Sequence, residues 1–421
     1  MKLQEKGWLS EYLNYRKLNY KKRPIKQLQH PDFTLYSVLQ PTGILYGRPM
    51  QPENLDKDSF DNLNERDRLK ILLAESLINS FILSHKESIQ SVEDFGKQLN
   101  LSIKSIIDFF TKLYPEISVS PTSFFGKKKS DMELAERIIE KRINLKAPSQ
   151  DNFWISFFSN TLIFLDIYFF GQWIHTTTDS TVSAFFKDEK ENLRLTVIKV
   201  IIAAAHANNI VEVEEKKLFE YILHSAQLSG KRKKTAWSLL ENGIQVEEIS
   251  LPDNNSWLLK KFFLELAILT VSADRKIDQS EKDFLINFTK HLGFFEEDLE
   301  NSMMAIEGFI IENWEDIGEL QSRTNYGQLS IDYKSKILKV IGRSEKKIIQ
   351  IIRDNEAIRR LLSKHSSGEI SPDEEERLRI QLLAILKKLP SFASMSLPET
   401  ILSLSFLLKI LPISSIESRN D

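Results

Sequence analysis

The chain of 421 residues has nearly balanced charge, with 57 Lys and Arg against 59 Asp and Glu, so no global field attracts nucleic acid or an anionic membrane. Its 42% hydrophobic and 28% charged residues are typical of soluble globular domains, and its length predicts two or three of them. The lack of cysteine excludes disulfides, thiolate metal sites and cysteine nucleophiles, and it fits a reducing compartment. The polar start before Ile44 predicts no secretory signal, which favours a cytoplasmic location.

Residues 1–185 form the first predicted domain, which begins irregularly and then becomes helical. The aromatic and β-branched stretch Phe33–Gly47 predicts extended chain around a turn. Leucines at three- and four-residue spacing predict a helix over 64–84. Two shorter helices are predicted after it, at about 91–99 and 102–113, and a proline ends the second.

The most apolar stretch is Phe153–Ile174, whose 22 residues are long enough to span a bilayer. Asn160 and Asp166 lie in its middle, and a mid-bilayer aspartate costs about 2.5–3.5 kcal/mol on insertion. Two alternatives follow. The favoured one is a helix buried between domains, in which Asp166 needs a polar partner, and the other is a membrane-spanning segment.

The second predicted domain, 186–315, contains two similar segments, 196–229 and 262–293, offset by 66 residues. Each segment has an apolar helical run, a short polar break and an amphipathic helix that opens with acids. The offset aligns Val211 with Ile277, Glu212 with Asp278, and Glu215 with Glu281. Because neither copy can bury its apolar face alone, the pair predicts one all-helical core.

The polar breaks resemble the Ala-Asp-Gly-x-Val-x-x-x-Glu signature of the TerB-like domain of tellurite-resistance proteins. The second copy carries Asp274, Ile277 and Glu281 and lacks only the glycine, whereas Asn208 replaces the aspartate in the first copy. The resemblance covers about 190–310. It implies an all-helical module whose acidic residues hold a divalent cation and to which no enzymatic activity is attached.

The residues themselves allow two interpretations of these acids. Asp278, followed three residues later by Glu281, predicts a capping box that needs no metal. Carboxylate oxygens also suit a weakly held Ca²⁺ or Mg²⁺, although the chain has no EF-hand loop. The candidate ligands are Asp274, Asp278, Glu281, Glu212 and Glu215.

Other polar features predict no catalytic site. The basic run Ser229–Lys234 is predicted to be a solvated linker at a helix–helix turn rather than a phosphate site. The seven histidines are scattered without metal-ligand spacing, and His206 is predicted to be a hydrogen-bonded core histidine. Since the chain also has no phosphate-binding glycine loop and no nucleophile elbow, we predict that it is not an enzyme.

The third predicted domain, 316–421, begins with a long helix predicted over 332–363. The motifs Leu389-Pro390, Leu397-Pro398 and Leu411-Pro412 then resemble the tail of the ribosome-binding-like domain of the LETM family of leucine-zipper, EF-hand, transmembrane proteins. That family has two glycines after its second Leu-Pro pair, where this chain has Glu399 and Thr400. Pro398 is predicted to begin a short amphipathic helix.

With the amino-terminal GW…YL and TGILYG, the two resemblances make the chain similar to the LETM-related biofilm-associated proteins of Bacteroidota. They imply an all-α, non-catalytic adaptor or scaffold that is membrane-peripheral, weakly responsive to divalent cations and linked to stress or biofilm physiology. Its partners are predicted to be proteins, with no small-molecule substrate. One alternative is a ribosome- or RNA-associated factor that uses the LETM-like tail, and another is an integral membrane protein that uses 153–174.

Overall fold

The computed structural model is all-α, which confirms the predicted fold class. It describes residues 3–20, 30–52, 55–117, 119–122, 128–144, 153–176, 180–207, 219–220, 223, 226, 228–251, 256–272, 277–316 and 325–413. Within these ranges the β-structure is limited to an isolated bridge between Thr122 and Lys128. The chain divides into two compact units, 1–295 and 296–421, while the predicted domain boundaries at 185 and 315 stay predictions.

The described helices of the first unit are α1 (Trp8–Leu18), α2 (Pro31–Leu39), α3 (Lys57–Asp61), α4 (Glu65–Ser84), α5 (Val92–Leu113), α6 (Asp131–Asn144), α7 (Phe153–Trp173), α8 (Ser180–Ala205), α9 (Gly230–Asn242), α10 (Trp257–Val271) and α11 (Gln279–His291). The prediction over 64–84 is confirmed by α4, which Asn64 caps by accepting from the amide of Asp67 at 2.9 Å. The two helices predicted next are wrong, because α5 is one continuous helix. No glycine or proline separates Leu99 from Ser102, and both side chains stay on its buried face.

The prediction of extended chain over Phe33–Gly47 is wrong. Helix α2 occupies the first part of the stretch, and two short 3-10 turns occupy the rest. These turns end at Gly43 and Gly47, whose φ angles of 68° and 64° are left-handed and favour glycine. The aromatic residues of this stretch pack between helices and do not form a sheet. The rings of Tyr36 and Trp257, for example, meet edge-on with their centroids 5.5 Å apart. Tertiary packing therefore overrides the β propensity of this stretch.

Helix α7 lies in the interior of the first unit, where it packs against α4 and α8. Its side chains from 160 to 170 are all buried, which confirms that the helix is buried, but it lies inside one compact unit and not between domains as predicted. Gly171 lets α7 approach α4 closely, because a Cβ there would lie 3.3 Å from the Ser80 hydroxyl. Among the residues that the structure describes, no helix combines the length and the apolar character needed to cross a membrane.

The two apolar runs of the repeat form α8 and α10, which pack against each other as predicted. Helix α11 is the second helix of the second copy, whereas its counterpart in the first copy lies largely outside the described residues. The basic run Ser229–Lys234 is largely exposed, as predicted, but the prediction of a linker is wrong, because 230–234 form the first turn of α9. Arg232 anchors that turn to α8, with its guanidinium 2.6 Å from Asp188 and 2.8 Å from Glu191.

The described helices of the second unit are α12 (Glu296–Glu312), α13 (Tyr326–Arg343), α14 (Glu345–Arg353), α15 (Glu356–Ser367), α16 (Pro372–Leu386), α17 (Pro390–Ala393) and α18 (Leu404–Ile410). The single helix predicted over 332–363 is therefore wrong, since the chain breaks at Ser344 and again at Asn355. The side chain of Asn355 caps α15 by accepting from the amide of Ile358 at 3.2 Å. The breaks allow all three helices to place isoleucines in one core.

The Leu-Pro motifs of the C-terminal region contribute to this core through their leucines. The prediction that Pro398 begins a helix is wrong, because α18 begins at Leu404. Ser403 supplies the cap by accepting from the amide of Phe406 at 3.3 Å. Leu402 is already fully buried before that cap, and the amide and hydroxyl of Thr400 donate to Glu312 of α12 at 3.2 and 3.1 Å. Packing and these hydrogen bonds hold the segment after Pro398.

Candidate cation site and buried ionic clusters

The second acidic break begins α11 with a capping box. The Asp278 carboxylate accepts from the amide of Glu281 at 2.9 Å, and the Glu281 carboxylate accepts from the amide of Asp278 at 2.7 Å. The Ser280 hydroxyl also donates to Asp278, at 2.7 Å. These bonds, with the one from the Glu281 backbone foremost, lower the pKa of the Asp278 carboxyl. The predicted capping box is confirmed.

The predicted cation site is described only in part. Asp274, Glu212 and Glu215 lie outside the described residues, and so does Asn208. Within the described ranges, no group of three or more His, Asp or Glu side chains is arranged to hold a metal ion. The cap engages Oδ1 of Asp278 and Oε2 of Glu281, so a cation could still approach the other two oxygens. Cation binding stays a prediction.

The histidine beside the first acidic break has a structural environment. His206 lies near the end of α8, with Nε2 2.8 Å from the carbonyl oxygen of Leu240. Gly243 lies close to the imidazole ring, since a Cβ at this residue would be 3.4 Å from Nδ1 of His206, and its φ of 75° is left-handed. The predicted hydrogen bond is confirmed, but the prediction of a core position is wrong, because His206 is partly exposed.

Among the described residues, the largest buried ionic cluster surrounds Asp166, in the middle of α7. The Tyr114 hydroxyl and the Arg142 Nε both donate to its carboxylate, the latter at 2.6 Å. Arg194 of α8 places Nη2 3.7 Å from the same carboxylate. Burial, followed by the charge of Asp166, raises the pKa of Tyr114 well above its usual value. The predicted need of Asp166 for a polar partner is therefore confirmed.

Lys190 of α8 completes this cluster. Its Nζ donates to the carbonyl of Leu113 at 2.9 Å and lies 3.8 Å from the centre of the Tyr114 ring. Burial, with the charge of Arg194 next, lowers the pKa of Lys190 to about 8. The cluster therefore joins the end of α5 to α6, α7 and α8 through side chains that are distant in sequence.

The shifted pKa of Lys190 predicts a pH dependence of stability. Its pKa falls from 10.5 to about 8 on folding, so the unfolded chain binds more protons between these values. The free energy of unfolding should therefore rise by about 2 kcal/mol from pH 8 to about pH 9.5. Above about pH 10 the raised pKa of Tyr114 acts in the opposite direction, because the unfolded tyrosine ionises first.

Urea denaturation of the wild type and of Lys190→Met, across this pH range, checks the expectation. Methionine keeps the length of the side chain and removes the amine. The rise should disappear in Lys190→Met. An equal rise in both proteins would show that another group causes it.

A second buried cluster attaches α1 to α4. Glu75 of α4 accepts from the Tyr12 hydroxyl and from the Arg16 guanidinium, both of α1. Asn79, one turn later, donates to Glu75 at 3.0 Å and accepts from Arg16 at 3.1 Å. Burial and then the charge of Glu75 raise the pKa of Tyr12 well above its usual value. The polar groups of this cluster thus bind one another.

A third cluster attaches α2 to α10. Glu265 of α10 accepts from the Tyr36 hydroxyl, and the Lys261 Nζ lies 3.5 Å from the same carboxylate. Burial raises the pKa of the Glu265 carboxyl above its usual value. Glu265 was not identified from the sequence, and neither was Glu75. The available signal was an acid inside an otherwise apolar helical run, as in FFLELAIL.

The fold and these clusters define the class of protein only broadly, as an all-α protein with helices joined by buried carboxylate–tyrosine pairs. Comparison of the chain with models of known families, with curated proteins and with solved structures finds no match in any of the three. The basis for assigning a function is therefore the chain's own residues and the two resemblances.

Proposed function

We propose that the chain is a non-catalytic helical adaptor that holds partner proteins on a rigid framework. The observation that carries the proposal is the use of its buried acids. Asp166, Glu75 and Glu265 each bind a tyrosine from another part of the chain, so each fastens separate segments together. Buried acids with perturbed surroundings are often catalytic, but structural networks produce the same signature. Here the contacts support a structural role.

The two resemblances extend this proposal. The TerB-like repeat supports a link to stress physiology and a weak response to Ca²⁺ or Mg²⁺. The LETM-like tail and the shared order of modules support a link to biofilm growth. On these grounds we place the protein in the cytoplasm, peripheral to the membrane, with proteins as its partners.

Affinity purification of the tagged full chain from native cells tests the adaptor proposal. We expect at least one protein to be recovered in near-stoichiometric amount relative to a tag-only control. Any membrane-bound fraction should be released by alkaline carbonate, which strips peripheral proteins and leaves integral ones. Recovery of the chain without an enriched protein contradicts an adaptor, and resistance to carbonate contradicts peripheral attachment.

The predicted response to cations is tested by comparing asparagine substitutions at two capping aspartates, one in the acidic break and one elsewhere. Asp278 caps α11 in the acidic break, and Asp56 caps α3 by accepting from the amide of Ser59 at 2.8 Å. Asparagine caps a helix nearly as well as aspartate, so neither Asp278→Asn nor Asp56→Asn should lower stability much. Millimolar Ca²⁺ or Mg²⁺ should raise the melting temperature of the wild type by about 2 °C through binding to the folded state.

That rise should vanish in Asp278→Asn and persist in Asp56→Asn, because only the first removes a proposed carboxylate ligand. Differential scanning calorimetry with and without each cation measures the shifts. If the wild type shows no shift, Asp278 and Glu281 act as a cap alone.

A basic surface on the second unit favours a second candidate function, association with ribosomal RNA. Residues 331–365 contain ten Lys and Arg against four Asp and Glu. Lys346 and Lys347 of α14 and Arg359 and Arg360 of α15 are exposed. Such a local excess of positive charge suits the phosphates of RNA even though the whole chain is nearly neutral.

Co-sedimentation with purified ribosomes over a series of salt concentrations tests this candidate. Binding should weaken steeply with salt, and the paired change Lys346→Glu and Lys347→Glu should reduce it by about tenfold or more. Lys282→Glu with Lys290→Glu, on α11, makes the same change in net charge at exposed positions and serves as the control. Equal loss in both pairs would indicate a non-specific effect of charge.

A further inference from the structure

The outward face of α13 exposes large apolar side chains. Ile331 is 62% exposed and Leu338 is 47% exposed, and a spacing of seven residues places them on one face of the helix. Ser335 and Gly342 are exposed on the same face, four residues after Ile331 and Leu338 respectively. Large apolar and small residues therefore alternate along this face.

Gly342 has no packing role within the described part of the chain. A Cβ at this position would meet nothing within 4 Å there. Its φ lies outside the left-handed region, so the backbone does not require glycine. Gly342 lies in the last turn of α13, one residue before Arg343, where glycine still favours the helix less than alanine does and serves no contact within the described chain.

One edge of the same face carries charges of both signs. Helical spacing places Asp332, Lys339 and Arg343 along this edge, with the acid toward the start of α13 and the bases toward its end. Asp332 accepts from Gln328 at 2.8 Å, and Glu300 of α12 accepts from Lys339 at 2.7 Å and from Arg343 at 3.3 Å. The edge is exposed and remains within reach of a partner.

We propose that this face is the contact between two copies of the chain, whose α13 helices pack antiparallel about a two-fold axis near residues 336–337. In that arrangement Ile331 lies level with Gly342 of the second copy, and Leu338 lies level with Ser335 of the second copy. Each large side chain therefore meets a small one. Two-fold symmetry forms every such contact twice.

The charges agree with the same arrangement. Antiparallel pairing keeps the charged edges of the two helices on the same side, and it places Asp332 of each copy between Lys339 and Arg343 of the other. A parallel pair would instead bring Asp332 level with Asp332 and Ile331 level with Ile331. Complementarity of both size and charge to itself favours a second copy over an unrelated helix as the occupant. This inference goes beyond the adaptor proposal and does not depend on it.

Sedimentation velocity of the full chain across the micromolar range tests the proposal. We expect a concentration-dependent dimer for the wild type. Ile331→Glu should weaken the dimer by about a hundredfold, because it replaces a large apolar side chain with a charge at both symmetry-related contacts with Gly342. Ile380→Glu is the matched control, since Ile380 of α16 is 53% exposed and lies outside the proposed contact.

Gly342→Leu separates association from folding. Leucine is a better helix former than glycine, and a Cβ at this exposed position meets no described atom within 4 Å, so the monomer should gain thermal stability. The same change fills the space that Ile331 of the second copy occupies, so it should weaken the dimer by at least about tenfold.

The charged edge is tested by a charge exchange. Asp332→Arg should also weaken the dimer, and mixing that variant with the Lys339→Glu, Arg343→Glu double variant should restore pairing. A wild type that stays monomeric, or a dimer that Ile331→Glu and Gly342→Leu leave intact, overturns the proposal.

Discussion

Replacing Asp166 with asparagine is expected to destabilise the first unit by about 3–5 kcal/mol, the usual cost of removing one partner from a buried ion pair. The Asp166 side chain is 0% exposed, and those of Arg142 and Arg194 are 4% and 1% exposed. Asparagine has nearly the same volume, so the loss reports the missing charge and not a cavity. Without the carboxylate, two buried guanidinium groups lose the negative charge that faces them.

Asp188→Asn is the matched control, because Asp188 and Arg232 also form an aspartate–arginine pair at 2.6 Å. The Asp188 side chain is 65% exposed, and pairs of this kind contribute less than about 1 kcal/mol. Urea denaturation of both variants, followed by circular dichroism, measures the difference. Similar losses in the two would mean that burial does not set the energy of the Asp166 cluster.

The Asp166 cluster could be predicted from the sequence only in part. A polar residue inside an apolar run predicts that it needs a partner, and Asp166 has one. Its partner Tyr114 lies 52 residues away and its partner Arg142 lies 24 residues away. No local pattern links residues at these separations, because the packing of α5, α6 and α7 brings them together. The existence of such a cluster was therefore predictable, but its members were not.

Local interactions were predicted better than breaks in regular structure. The capping box of Asp278 and Glu281 depends on residues three apart within one turn, so spacing alone identified it. Neither break stands at a proline or a glycine, although Gly342 precedes Ser344 by two residues, and the uninterrupted apolar periodicity predicted one long helix. Tertiary packing in the second unit, which the periodicity does not encode, decides where that helix ends.

Two glycines inside helices of the second unit are expected to respond to alanine with opposite signs. Gly308→Ala in α12 should cost about 2 kcal/mol, because its Cβ would lie 2.9 Å from the Tyr333 hydroxyl and 3.3 Å from Cδ of Pro398. Gly342→Ala, in the last turn of α13, meets no described atom within 4 Å and should gain about 0.5 kcal/mol of helix stability. Urea denaturation at concentrations where the chain is monomeric should separate them by about 2.5 kcal/mol.

Substitution of Tyr333 tests whether contact with its hydroxyl causes the loss of stability in Gly308→Ala. Its hydroxyl is buried without a hydrogen-bond partner among the described residues, so Tyr333→Phe alone should cost little. Combined with Gly308→Ala it removes the oxygen that the new Cβ approaches, and at least half of the lost stability should return. The non-additivity of this double-mutant cycle measures the contact directly. If Tyr333→Phe brings no recovery, the cost arises at Pro398, where the turn after the second Leu-Pro motif meets α12.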